Sequence, residues 1–209
     1  MEFEIWLAFV AASTALLLIP GPTVLLVLSY ALSQGKRVAV STAGGVALGD
    51  LIAMTASLAG LGALVLASAT LFTVLKWVGA AYLVYLGTRL ILAARDSDLT
   101  LPTTSAVTAR KTFGHAAAVT ALNPKSIAFF IAFVPQFIDP SAALVPQFAI
   151  LIATFVTLAT VNALAYALLA NQLRARLTRP GAIAWLTRAG GATLIGMGIV
   201  TATLRRGTA

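Results

Sequence analysis

Between residues 5 and 35 the chain carries no charged side chain, an uninterrupted run of 31 positions. A helix needs about 20 residues to cross the hydrocarbon layer of a bilayer. This segment alone therefore demands either a membrane or a very large apolar core. Composition removes the second option. Of 209 residues, 60% are hydrophobic and 10% charged, whereas soluble domains are about 25% charged. A chain of this length cannot bury so much apolar side chain and keep a wettable surface. A cytosolic globular domain, a disordered chain and a coiled coil are excluded. The opening Met1-Glu2-Phe3-Glu4 is acidic, unlike the basic start of a secretory signal, so the first run is expected to be a retained membrane segment.

The pattern predicts an all-α polytopic protein of six spans, at about 5–33, within 38–75, and at about 71–94, 114–138, 143–170 and 183–204. Residues 1–209 make a single domain: a first half over 1–94, a cytoplasmic loop over 95–113 and a second half over 114–209. That loop holds Arg95, Asp96, Asp98, Pro102, Arg110 and Lys111. Asp139-Pro140-Ser141 marks a turn. Basic residues stay on the cytoplasmic side during insertion. With the N-terminus outside, Lys36, Arg37, Arg89, Arg95, Arg110, Lys111, Arg174, Arg176, Arg179 and Arg188 fall inside, against Lys76, Arg205 and Arg206 outside. Both termini are therefore expected outside; one re-entrant run would make five spans and move the C-terminus inside. The net charge of +8 thus reads as topology, not as a nucleic-acid surface. Trp6, Trp77 and Trp185 fall at span ends, as interfacial belts or as core aromatics. There is no cysteine and one histidine, His115, which excludes thiol chemistry and a cysteine or histidine metal cluster.

Charged groups in the hydrocarbon layer usually line a pathway. Asp50 stands 13 residues past Arg37 and Lys125 14 past Lys111, so both lie about 20 Å from the inner edge at 1.5 Å per residue. We expect them to approach each other or to share a small hydrated cavity; the plain alternative is a fixed stabilising pair. Helix breakers gather at the same depth. Pro20-Gly21-Pro22 interrupts the first span and Asn123-Pro124-Lys125 the fourth. Proline has no N–H to donate, and the carbonyls it frees must face protein or a watery cavity. Asn162 lies near the same level and Tyr85 slightly nearer the inside; each either faces the cavity or bridges helices.

The two halves resemble each other. Lys76-x-x-Gly79-Ala80-x-Tyr82-Leu83-x-x-Leu86-Gly87 recurs, shifted by 111 residues, as Thr187-x-x-Gly190-Gly191-x-Thr193-Leu194-x-x-Met197-Gly198. Three spans per half is an odd number, so the halves are inverted, as in many transporters with one broken helix per repeat. The helix segments after Pro22 and Pro124 both begin at the midplane, with positive dipole ends suited to a carboxylate. Asp50 suits an ammonium, so a zwitterion fits both. Gly45-x-x-x-Gly49 is a close-contact face, serving packing within the chain or dimerisation.

Four of these motifs together, Pro20-Gly21-Pro22, Gly45-x-x-x-Gly49-Asp50, Gly79-Ala80-x-Tyr82-Leu83-x-Tyr85-Leu86-Gly87 and Asn123-Pro124-Lys125, resemble the lysine exporter (LysE) superfamily, closest to its homoserine/threonine resistance (RhtB) branch. Phe129-Phe130-x-x-Phe133-x-Pro135-Gln136-Phe137 fits as well. The resemblance implies efflux of amino acids or derivatives from the bacterial cytoplasm across the inner membrane, driven by proton antiport. The expected partners are a small zwitterionic solute, protons and membrane lipid, with a homo-oligomer left open and no cofactor or metal. Asp50 is the candidate proton carrier. A passive channel or an exporter of another small solute is the alternative. An intramembrane enzyme lacks an acid/base or nucleophile constellation, and a scaffold leaves Asp50 and Lys125 without purpose.

Overall fold

The computed structural model describes residues 1–19, 21–34, 36–94, 108–139, 141–170 and 181–203. Pro20, Pro140, Arg95, Asp96, Asp98, Pro102, Arg174, Arg176, Arg179, Arg205 and Arg206 lie outside the described residues. Among the described residues the chain is all-helical: α1 (Phe3–Leu18), α2 (Pro22–Gln34), α3 (Lys36–Ala67), α4 (Ala69–Ala93), α5 (Ala109–Ala121), α6 (Pro124–Ala132), a 3-10 turn (Val134–Phe137), α7 (Leu144–Leu168) and α8 (Ala182–Thr203).

Two helical stretches, Arg37–Ala63 and Leu144–Leu168, are by themselves long and apolar enough to cross a membrane. Two more candidates are bent pairs. Phe3–Leu18 and Pro22–Gln34 meet at 56°, and Ala109–Ala121 and Pro124–Phe137 at 44°. Helix α5 begins at Ala109, before the start expected at residue 114. A helix does not stop at the hydrocarbon boundary, and Arg110 and Lys111 occupy a first turn beyond the apolar stretch.

Each break has a local cause. Asn123 is extended and its side chain accepts from Lys125 N, with Pro124 at the first helical position. A capping asparagine followed by proline starts a helix well. Helix α2 likewise opens on Pro22. Glycines then set how closely the helices approach. A Cβ on Gly49 would stand 2.6 Å from Ala117 O and from Thr120 Cβ, and Gly45 faces Phe113 and Ala116. Rising numbers match rising numbers, so α3 and α5 run parallel, and Ser41 Oγ donates to Ala109 O near their starts. The Gly45/Gly49 face is therefore used within the chain. Gly87 faces Gly191 O, whereas Gly198 faces Ala80 O and Val84, so α4 and α8 run antiparallel. Gly79 packs on Ala132 of α6, and Gly190 on Ile19.

The largest core cluster joins Phe9, Phe129, Phe130, Phe133, Phe137 and Phe155 with Met54, Leu58, Leu83, Leu151 and Leu194. A second cluster joins Leu26, Val27, Tyr30 and Val46 with Ala39, Ala43, Ala116, Ala163 and Ala167. Trp77 and Trp185 are exposed, not core, whereas Trp6 Nε1 donates to Thr154 Oγ1 at 3.0 Å. Gln147 closes the turn before α7, accepting from Asp139 N and donating to Asp139 O and Ala143 O.

Candidate functional site

Both helix breaks border one cavity. Its wall includes Gly21, Thr23, Asp50, Asn123, Lys125, Ser126, Asn162 and Tyr166, with Leu16, Leu17, Val24, Val27, Val46, Ala159 and Ala163 as its apolar part. The free space is about 30 Å³, room for about two water molecules. An amino acid requires the cavity to widen.

The last carbonyls of a helix have no partner inside it. At the end of α1 they are met by side chains from α6 and α7. Lys125 Nζ donates to Leu16 O at 3.1 Å and to Ile19 O at 2.9 Å. Asn162 Nδ2 donates to Leu17 O at 3.1 Å, and Tyr166 OH to Leu18 O at 3.2 Å. The ammonium thus sits at the negative end of the α1 dipole, where a cation is stabilised. Gly21 leaves it room: a Cβ there would stand 3.4 Å from Lys125 Nζ.

The two breaks are also tied to each other. Asn123 Nδ2 donates to Thr23 Oγ1 at 3.1 Å, and Thr23 Oγ1 lies 3.4 Å from Thr120 Oγ1. Asn123 Oδ1 accepts from Lys125 N at 3.1 Å, so this one amide caps α6 and holds α2.

Asp50 is 2% exposed and lines the same cavity. Among the described residues it takes no hydrogen-bond donor and no ion-pair contact. Lys125 lines the same cavity, while the lysine's own side-chain hydrogen bonds go to the α1 carbonyls. A buried carboxylate without a donor is costly, and it leaves both oxygens open as acceptors towards whatever enters.

The structure thus gathers Asp50, Lys125, Asn123, Gly21 and Asn162 at one cavity, with Pro22 and Pro124 opening the adjacent helices; Pro20 lies outside the described residues. It does not bring Tyr85 there. Tyr85 is 54% exposed on α4, with Arg89 6.0 Å above its ring and Tyr82 beside it. The packed stripe of α4 is Gly79, Leu83 and Gly87. At 100° per residue, position 85 points about 200° away from position 83. The sequence reading missed Thr23, Thr120, Ser126 and Tyr166. A signal existed for Tyr166, one turn after Asn162 on the same face. His115 lies outside the cavity, exposed, its Nδ1 2.8 Å from Tyr30 OH.

The fold and this cavity define a multi-pass helical membrane protein with a polar, ionisable pocket at two interrupted helices. Comparison with known proteins gives the family. Residues 14–205 match the model of the LysE type translocators, and the chain belongs to that family, whose members are transporters and not enzymes. It is 35% identical over 207 residues to an uncharacterized membrane protein of Vibrio cholerae, covering 98% of this chain and 100% of that one. It is 35% identical over 206 residues to the homoserine/homoserine lactone efflux protein of Salmonella typhimurium, covering 98% and 99%. A leucine efflux protein of Salmonella typhimurium is 33% identical over 134 residues, 64% of this chain and 63% of that one. No solved structure matches.

Proposed function

We propose that the chain is a secondary active exporter of small amino acids or their derivatives, homoserine- or threonine-like, from the bacterial cytoplasm across the inner membrane. The observation that carries this reading is Asp50: a buried carboxylate, without a donor, facing a cavity built at two helix breaks. The solute's ammonium binds at Asp50. Its carboxylate lies towards Lys125 and the first turn of α6. The printed names of the relatives, homoserine and leucine efflux proteins, support the amino-acid class.

Transport proceeds by proton antiport and alternating access between two inverted three-helix halves, with six spans and both termini outside. Helix contacts support the inversion. Under the 111-residue shift, Gly87 maps onto Gly198 and Ala80 onto Gly191. The contact of Gly87 with Gly191 thus maps onto that of Gly198 with Ala80, and both occur. Paired contacts of this kind mark a two-fold relation. The antiparallel run of α4 and α8 fits an axis in the membrane plane.

The test is export from loaded, energised vesicles. The wild type should move a labelled amino acid uphill, and an uncoupler should collapse the gradient; only downhill movement would favour a passive channel. Asp50→Asn should lose gradient-driven export while remaining in the membrane at wild-type level. Full export by that variant would remove Asp50 from the mechanism.

A further inference from the structure

The cavity is bounded very differently at its two ends. On α7, Phe155 stands one turn before Ala159 and Ala163 one turn after it, with Ala159 and Ala163 in the wall. On the Phe155 side the space is filled. Phe129 packs on Phe9, Phe130, Phe133 and Phe155, with ring centroids 6.5, 6.1, 5.4 and 5.9 Å apart, and Phe130 meets Phe155 edge-on at 4.8 Å. On the Ala163 side the wall includes Val27, Val46 and Ala163, all buried and all in one cluster with Leu26, Tyr30 and four further alanines, and Tyr166 packs against it. Val46 stands one turn before Asp50 on the same face of α3, so this wall begins about 6 Å along the axis from the carboxylate.

We infer that Val27, Val46 and Ala163 receive the side chain of the exported solute and restrict it to amino acids with a short, uncharged side chain. This rests on the export of amino acids proposed above. With the ammonium on Asp50, the aromatic end offers no space, and the side chain must extend towards the aliphatic wall. Room there is made by Ala163 and limited by the two valines. No charged group stands on this wall, and the polar side chains beside Ala163 on α7, Asn162 and Tyr166, already donate to Leu17 O and Leu18 O, so a second charge on the solute would be buried without a counter-charge, a heavy cost. Lysine and glutamate are therefore rejected, whereas alanine, homoserine and leucine are accepted.

The experiment uses the full chain in proteoliposomes, each loaded with one labelled amino acid: alanine, homoserine, leucine, phenylalanine, lysine or glutamate. Two substitutions change the wall in opposite directions. Ala163→Leu should lower the leucine-to-alanine efflux ratio by about ten-fold or more, and Val46→Ala should raise the phenylalanine-to-alanine ratio by about ten-fold, the scale of methylene discrimination in apolar pockets. General damage cannot shift selectivity in two directions. If Ala163→Leu fails to reach the membrane, Ala163→Val takes its place. Equal loss for every amino acid in both variants, or wild-type efflux of lysine matching that of alanine, overturns the assignment of the wall while leaving the export reading intact. A wild type that moves no amino acid overturns both.

Discussion

At the end of α1 the carbonyls of Leu16, Leu17, Leu18 and Ile19 are each met by a side chain from another helix. The contributions are unequal. Hydrogen bonds from a charged donor are worth about 1.5–3 kcal/mol, and Lys125 supplies two. A neutral bond between helices in a membrane averages about 0.6 kcal/mol, which is the expected contribution of Tyr166. Lys125→Ala should therefore lower the thermal midpoint in detergent clearly more than Tyr166→Phe, and should abolish export because Asp50 loses its counter-charge as well. Equal stability of the two variants would show that the ammonium is not held by the α1 carbonyls. That Lys125 and Asp50 share a cavity was legible from their matching spacing along the two helices. The carbonyl partners were not, because spacing along one helix says nothing about which neighbour the side chain turns towards.

At the scale of elements, the chain interrupts two helices with proline and binds the interruptions together through Asn123, Thr23 and Thr120. The α3–α5 contact supports this arrangement from behind, since Gly49 meets Thr120 directly one position before Asp50. Gly49→Val places carbons where Ala117 O and Thr120 Cβ now stand. Overpacking of this kind costs about 1–3 kcal/mol and would displace Asp50 with it. The variant should show a lowered thermal midpoint and weakened export together. Unchanged stability would mean that α3 and α5 do not approach at glycine distance. The Gly45/Gly49 spacing was visible in the sequence as a contact face, but its partner could be either α5 or a second copy of the chain. Only packing assigned it to α5. The polar residues Arg110 and Lys111 similarly hid the true start of α5, because a helix can extend past the apolar layer that a hydropathy pattern detects.

For the molecule as a whole, the expected orientation puts the N-terminus outside, from the excess of basic residues in the inside connections. The absence of native cysteine makes this directly testable. Glu2→Cys should react with an impermeant maleimide in intact cells without permeabilisation. Reaction only after permeabilisation would invert the orientation and reverse the direction assigned to transport.

The sequence by itself determined that the chain lives in a bilayer, is helical, breaks two helices with proline and carries one carboxylate and one ammonium at matching distances along their helices, which the fold brings to one cavity. These follow from apolar run length, from the missing N–H of proline and from the fixed rise per residue, all properties of a single segment. Rotation about each helix axis was decided only by the tertiary structure. Packing of α4 through Gly79, Leu83 and Gly87 turned Tyr85 outward, and the meeting of α1, α6 and α7 gave Lys125 to backbone carbonyls and left Asp50 facing the cavity. Rotation depends on contacts between segments distant in the chain, and side chains compete for those contacts only once the helices have assembled.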